Sequence, residues 1–273
     1  MRELRRAALA ALAEPGVEAK LARSCSLAQD AATLRVGPCD LVWIDRVTAL
    51  STTQPLPGRE SKPVLVAPDA LPRRGLQKVE GRAALLHSLA HIEMNAVNLA
   101  LDVVWRFAGL PEAFYLDWMQ VAGEEALHFG LLASHLADLG FQYGDFPAHD
   151  GLWSMAERTR HDLLARLALV PRTLEARGLD ASPAIRSRLA QAGDHRAAAI
   201  LDRILSDEIG HVGIGNYWYG WLCAERTVDP IDTYRELAQL HSAPRLRGPF
   251  NLDARRAAGF TEAELEALLD AAG

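Results

Sequence analysis

Two five-residue stretches, Glu124-Glu125-Ala126-Leu127-His128 and Asp207-Glu208-Ile209-Gly210-His211, are near copies of one another and carry most of the information about the fold. Each begins with two acidic residues, the second of which is the Glu of a Glu-x-x-His motif. Each lies in a stretch whose apolar residues recur at helical spacing. Because three residues is close to one turn of an α-helix, the Glu and the His project from the same face. A carboxylate and an imidazole on one face can bind a metal ion, and two such motifs predict a site for two ions.

A single Glu-x-x-His spacing would be weak evidence. With 17 Glu and 9 His in 273 residues, about 0.6 such spacings are expected by chance. The shared context strengthens the signal, because an acid precedes each motif at Glu124 and Asp207 and a glycine follows each His by two residues, at Gly130 and Gly213. The repeat of a whole pattern therefore favours a functional pair of motifs.

The composition, with 49% hydrophobic and 23% charged residues, is that of an ordinary globular protein. A formal net charge of −6 argues against bulk nucleic-acid binding. No stretch approaches about 18 uninterrupted apolar residues, and the apolar part of residues 1–14 is too short for a signal peptide. We therefore expect no membrane span and a cytoplasmic protein.

The cysteines argue against a disulfide framework and a thiolate metal site, whereas the arginines leave a site for an anionic ligand possible. Three widely spaced cysteines offer neither a disulfide framework nor a Cys-x-x-Cys metal site; they are Cys25, Cys39 and Cys223. A local arginine cluster is a minor candidate for an anionic ligand; it consists of Arg245, Arg247, Arg255 and Arg256.

Helical periodicity predicts an all-α fold, because no stretch alternates with period two for long enough to form a sheet. Four long helices are predicted, at 75–107, 111–139, 152–177 and 194–225. Pro111 begins the second helix and Asp194 caps the fourth. Residues 178–193 are predicted to be a broken connection with a short helix after Ser182-Pro183.

The remaining segments flank this predicted four-helix bundle. Residues 1–50 predict two or three short helices, and the five prolines of residues 52–74 predict an extended arm. The tail predicts two short helices, with Thr261 and Glu264 as a capping box. The predicted domains are the N-terminal helices and arm at 1–74, the bundle at 75–226 and the helical tail at 227–273.

Two further carboxylates are predicted to complete the ligand set. Glu93 shares the apolar face of its helix and lies sixteen residues before Gly109, while Glu125 lies sixteen after it. Antiparallel neighbours would bring both to the same depth. The offset of 32 residues from Glu93 to Glu125 is matched by 33 from Glu175 to Glu208, which favours Glu175 over the alternative Asp162. A purely structural role is disfavoured, because inward carboxylates without a cation would destabilise the bundle.

One Glu from each of two helices and Glu-x-x-His from each of two others is the ligand arrangement of ferritin-like dinuclear carboxylate proteins. The chain resembles that superfamily, and within it four segments resemble the bacterial family catalogued as domain of unknown function 455: Ala90–Glu93, Gly144–Trp153, Val170–Asp180 and Asp207–His211. The resemblance covers most of the chain and implies a ferritin-like four-helix bundle with a dinuclear metal centre. The family brings no established substrate with it.

The six predicted ligands divide into three kinds. Glu125 and Glu208 would bridge the ions, Glu93 and Glu175 would be terminal carboxylates, and His128 and His211 would give each ion one imidazole. Mixed Glu and His ligands favour two iron ions, with manganese or a mixed pair as the alternative.

Three further residues are candidates for supporting the ligands. Glu124 and Asp207 are rotated by about 100° from the ligand face, where they would either orient a ligand imidazole or be solvated. His91 would be an extra ligand or proton relay, or else part of a polar packing face.

Three functions fit this set. The favoured one is a di-iron oxidase or hydroxylase-like oxygenase that acts on a small organic molecule or a modified nucleoside and uses an external electron donor. The second is iron binding with peroxide detoxification, and the third is a ferritin-like scaffold with a non-catalytic metal site. The added terminal segments favour the first, because they can wall a substrate pocket. The substrate, the metal, the redox partner and the oligomeric state, a homodimer included, stay open.

Overall fold

The computed structural model describes residues 1–37, 40–72 and 74–272, and this part of the chain is mostly helical, with very little β-structure. The predicted all-α class is confirmed; Cys39 lies outside the described residues. The helices are α1 (Leu4–Leu12), α2 (Val17–Val36), α3 (Val79–Arg106), α4 (Glu112–Asp138), α5 (Gly151–Arg158), α6 (Leu163–Leu169), α7 (Ala176–Gln191), α8 (His195–Arg226), α9 (Pro230–Leu240), α10 (Leu252–Ala257) and α11 (Glu262–Ala272). A π-helical segment, Val170–Glu175, joins α6 to α7.

β-Structure is limited to short segments of the described chain. The two-residue strands β1 (Arg2–Glu3) and β2 (Val42–Trp43) pair in parallel, with Arg2 opposite Val42. The proline-rich arm contains a 3-10 turn at Pro68–Ala70 and an isolated bridge from Leu65 to Ala148. Among the described residues, no helix combines the length and the apolarity needed to cross a bilayer.

The chain divides into two compact units, residues 1–153 and 154–273. This division falls inside the range 75–226 that the sequence assigns to a bundle. The domain boundaries drawn from the sequence stay a prediction, and each unit is described by itself.

The first unit is built on the hairpin of α3 and α4. Helix α1 packs on α3 and helix α2 on α4, and every residue from Glu93 to Trp105 is buried. A helix that is covered on all sides belongs to a protein core. Helix α2, with 20 residues, is longer than the short segments predicted for this region.

Arg5 fixes the end of α3. Its side chain is fully buried, and its guanidinium donates hydrogen bonds to the backbone carbonyls of Val104, Trp105, Asp45 and Thr48. The last carbonyls of a helix have no partner within the helix. Arg5 satisfies two of them, and so holds the carboxyl end of the helix that carries Glu93.

The second unit is built on α8, which is 32 residues long. Asp194 caps it as predicted, since its Oδ1 accepts a hydrogen bond from the Ala197 amide at 3.1 Å. Helix α7 packs on α8 around a small apolar core that consists of Ala176, Leu179, Val212, Ala254 and Ala258. The predicted capping box is also present, with Glu264 Oε2 accepting from the Thr261 amide at 2.8 Å.

The third long helix differs from the prediction of one helix at 152–177. Helix α5 ends at Arg158, and a new helical run begins at Leu163 and continues past Gly178 to Gln191. The predicted short helix after Ser182 is wrong, because Pro183 lies inside α7. A glycine in a helix costs only about 1 kcal/mol, and the packing of α7 on α8 offsets that cost.

Candidate metal centre

The first half of the predicted centre lies on the α3–α4 hairpin. Nδ1 of His128 lies 3.3 Å from Oε2 of Glu125 and 3.5 Å from Oε2 of Glu93. Glu125 and His128 are completely buried, and Glu93 is 4% exposed. The depth match predicted from the turn at Gly109 is therefore confirmed, because both carboxylates reach the same imidazole.

Electrostatics in this half favour a cation. Burial alone would lower the pKa of the His128 imidazole, but the hydrogen bonds and charges of Glu125 and Glu93 outweigh burial and raise that pKa to about 11. Without a metal, the ring carries a proton at neutral pH between two carboxylates. A metal ion would have to displace this proton, because only the neutral imidazole is a ligand.

The second half lies on α8. Glu208 and His211 are one turn apart, and Oε1 of Glu208 lies 3.7 Å from Nδ1 of His211. Their side chains are 12% and 1% exposed. The Glu-x-x-His spacing thus places both groups on the same face of the helix, as predicted.

Glu175 is the last residue of the π-helical segment. Pro171 has no amide hydrogen to donate to the preceding turn, and within the same segment the Thr173 hydroxyl donates to the Ala168 carbonyl at 2.8 Å. A π-helical turn shifts the phase of the residues after it, and such turns are frequent at functional sites. The position of Glu175 therefore depends on a helix geometry that regular periodicity does not predict.

Four of the six predicted ligands form a buried group that could bind a metal ion. Glu125, His128, Glu208 and His211 each offer one ligand atom, and these atoms lie within 4.8 Å of one another. Metal–ligand bonds of about 2.0–2.2 Å put the donor atoms of one ion up to about 4.4 Å apart, so a group that spans 4.8 Å would have to contract slightly around a single ion. Glu93 adjoins this group through His128, and Glu175 is not one of its members.

The three supporting candidates have contacts of their own. Glu124 accepts a hydrogen bond from Gln120 at 3.1 Å, and Asp207 pairs with Arg203 at 2.5 Å. Nδ1 of His91 lies 2.7 Å from the Tyr143 hydroxyl. A role for these residues beside the ligands stays a prediction.

Asp162, the alternative to Glu175, has a structural task. It is the N-cap of α6 and accepts a hydrogen bond from the Leu164 amide at 3.0 Å. Its Oδ1 also lies 3.4 Å from Arg226. A carboxylate that caps a helix and faces an arginine is a poor metal ligand, which favours Glu175.

The arginine cluster is partly neutralised by neighbours. Arg255 is 1% exposed and pairs with Asp180 at 2.7 Å. Arg256 pairs with Glu262 and Asp253. These pairs leave the cluster a weaker candidate for an anionic ligand than its sequence indicates.

Tyr143 is a residue that the sequence interpretation missed. Its ring stacks on His87, with centroids 5.1 Å apart, and on His91, with centroids 6.1 Å apart. His87 and His91 are four residues apart on one face of α3, and this spacing was the available signal for a shared partner. The position of that partner in the crossover could not be obtained from the spacing.

Comparison with known proteins gives a family match. The family described as protein of unknown function, DUF455, matches residues 13–266. A protein of Haemophilus influenzae, described as uncharacterized, is 51% identical over 212 residues, which are 75% of this chain and 74% of the relative. No solved structure matches.

Proposed function

This chain belongs to the family of proteins of unknown function DUF455, and we propose that it is a ferritin-like dinuclear metal protein that uses dioxygen as an oxidase or oxygenase. The observation that carries the proposal is the buried group of Glu125, His128, Glu208 and His211. Without a metal, the protonated imidazole of His128 accompanies Glu125, and a metal ion would replace that proton as the cation that the buried group needs. Two imidazoles together with carboxylates are the ligands that iron and manganese accept.

The donor count favours two ions over one. The four-residue group can supply a single ion by itself. Glu93, whose Oε2 lies 3.5 Å from His128, and Glu175 would supply the terminal carboxylates of a pair, and Glu125 and Glu208 would bridge it. This is one Glu from each of two helices and Glu-x-x-His from each of two others, which supports the ferritin-like assignment.

Two ferrous ions held by these residues would supply the two electrons that a two-electron reduction of dioxygen needs. The protein's own contribution is to hold the six side chains in place and to keep bulk water away from them. His128 would hold an ion only as the neutral imidazole and would therefore give up its proton, and Glu93 and Glu125 would then face the ion. Their burial strengthens this attraction, because the local dielectric is lower than that of water. We further propose a small-molecule substrate, with a modified nucleoside as one class, and an external electron donor.

Metal analysis tests the centre. Protein from cells supplied with iron, manganese and zinc should contain close to two equivalents of iron or manganese per chain. The double variant Glu125→Ala, Glu208→Ala should contain less than half an equivalent while its circular dichroism shows a folded helical protein. The matched control is Glu112→Ala, Glu225→Ala, which removes one exposed acid from each of α4 and α8 and should retain the metal.

Three results would reject the dinuclear centre: less than half an equivalent in the parent protein, full retention in the Glu125, Glu208 variant, or a single zinc ion per chain. Oxygen uptake then tests the activity separately. The reduced, metal-loaded protein should consume dioxygen in an oxygen electrode, and the double variant should not. A loaded protein that consumes no dioxygen would keep the metal site and reject the oxidase.

A further inference from the structure

A second candidate site lies in the first unit. A cavity of about 290 Å³ opens between the start of α2, residues 58–65 of the proline-rich arm and α3. Ligand pockets measure about 300–1,000 Å³, so this cavity suits a small molecule. Its polar lining includes Lys20, Arg59, Lys62, Asn95 and Asn98, none of which is a predicted metal ligand.

Lys20 is the most unusual residue of this cavity. It is 2% exposed, and its Nζ donates hydrogen bonds to the Gly58 carbonyl and to Asn98 Oδ1, each at 2.8 Å. In the part of the chain that the structure describes, both partners are neutral oxygens. A buried ammonium group is unfavourable unless an anion accompanies it.

The surrounding charges make the buried Lys20 ammonium group still less favourable. Burial first, and then the positive charge of Arg59, lower the pKa of Lys20 from 10.5 to about 7. The negative charge of Glu14 raises the pKa of Lys20, but its carboxylate also pairs with Arg23 at 2.8 Å. The protein itself therefore offers Lys20 little negative charge.

The lining is cationic in a chain that is acidic overall. Three cationic side chains and one carboxylate, Glu60, line the cavity, whereas the chain carries 29 Lys and Arg against 35 Asp and Glu. The chain contains only three lysines, at positions 20, 62 and 78, and two of them line this cavity. Asp150 pairs with Arg59 at 2.6 Å and so offsets one of the three positive charges.

Asn95 adds an independent sign of a ligand. Its Nδ2 donates to the His91 carbonyl at 3.0 Å, but its Oδ1 is buried and has no hydrogen-bond partner among the described residues. The residue is 2% exposed. A buried amide oxygen without a hydrogen-bond donor is destabilising, and a hydroxyl or amine group of a ligand would satisfy it.

We propose that this cavity binds a small polar metabolite that carries an anionic oxygen group, a carboxylate or a phosphate, at Lys20 and a hydrogen-bond donor at Asn95. Arg59 and Lys62 reinforce the anion site from the arm. The inference does not depend on the metal centre.

The small number of lysines makes a direct test possible. Protein labelled with ¹³C and ¹⁵N in lysine gives three sets of side-chain signals, which Lys20→Met, Lys62→Met and Lys78→Met assign. Inorganic phosphate and succinate are titrated separately, with sodium chloride at matched ionic strength as the control. We expect a saturable shift of the Lys20 signals, with a dissociation constant of about 1 mM or tighter for at least one probe, and no shift at Lys78.

Three variants test the interpretation. Lys20→Met should weaken binding at least tenfold, and Lys78→Met should leave it unchanged. Asn95→Leu replaces the buried amide with a side chain of similar size, should fold at least as stably, and should also weaken binding. A response to phosphate alone identifies a phosphate ester as the ligand class, and a response to succinate alone identifies a carboxylate. If neither probe moves Lys20 more than sodium chloride does, or if Lys78 moves equally, the proposal is wrong.

Discussion

Gly215 of α8 lies against Pro171 of the π-helical segment so closely that a Cβ on Gly215 would come within 2.5 Å of the Pro171 Cβ and 2.8 Å of its Cγ. Gly215 lies four residues after His211, and Pro171 lies four residues before Glu175. This contact therefore sets how α8 and the π-helical segment, which carry these two predicted ligands, lie against each other in the second unit.

We expect Gly215→Ala to lower the free energy of unfolding by about 1–3 kcal/mol, because the proline ring cannot move aside as a flexible side chain would. Gly220→Ala is the matched control on the same helix, since a Cβ there meets nothing within 4 Å. It should raise stability by up to about 1 kcal/mol. Urea unfolding followed by circular dichroism measures both, and equal effects would show that the contact is unimportant.

The metal affinity should increase with pH. The pKa of His128 is raised to about 11 in the metal-free protein, so a metal ion must release at least this proton when it binds. Each unit of pH should then tighten binding by up to about tenfold for this one proton. Competition with a chelator at about pH 6.5 and about pH 7.5, corrected for the chelator's own protonation, measures the difference. An affinity that does not change with pH would show that His128 is not a ligand.

Lys20 should make stability depend on pH above neutrality. Its pKa is about 7 in the folded protein against an ordinary value of 10.5, so the unfolded chain binds the extra proton between these values. Folding stability should therefore rise with pH from about 7 to about 10 relative to Lys20→Met. Below about pH 7, Lys20 is protonated in both the folded and the unfolded protein, so the difference in stability from Lys20→Met should no longer change with pH.

Urea unfolding of the parent protein, Lys20→Met and the control Lys78→Met at about pH 6 and about pH 9 tests the Lys20 prediction. The difference in the free energy of unfolding between the parent protein and Lys78→Met should be the same at both pH values. If the difference between the parent protein and Lys20→Met is also the same at both pH values, the prediction is wrong.

The two acids considered for the third long helix should behave differently. Glu175→Gln should lower the bound metal towards one equivalent, because it removes a terminal carboxylate. Asp162→Ala should lower stability by about 1 kcal/mol through loss of the α6 cap and should leave the metal content unchanged. Metal analysis and urea unfolding of both variants distinguish the roles, and a metal loss confined to the Asp162 variant would reverse the assignment.

Turn and capping residues correctly predicted the helix ends that lie next to them in the sequence. Gly109 and Pro111 separate α3 from α4, and Asp194 caps α8, because turn and capping preferences act within a few residues. The same kind of signal failed at Gly178 and Pro183. The sequence predicts a helix end at Gly178 and the start of a short helix at Pro183, but packing on α8 keeps α7 continuous through both positions.

The same contrast holds for the candidate centre. The spacing of Glu125 to His128 and of Glu208 to His211 follows from the helical repeat alone, and the turn at Gly109 correctly brought Glu93 to the same depth. Glu175 is predicted as a ligand from an offset in sequence that assumes a regular helix, whereas a π-helical segment ends at that residue.

The amino-acid sequence by itself determined the helical class, the bounds of α3, α4 and α8, and the residue types of the candidate metal centre, because periodicity, capping and ligand chemistry are local properties. Tertiary structure alone decided that α6 to α7 is one helical run, that Asp162 is a cap, and that Lys20 is buried beside Asn98, which lies 78 residues away in sequence. Burial and long-range contacts decide these features, since the free energy of a charge or a break depends on what the fold packs around it.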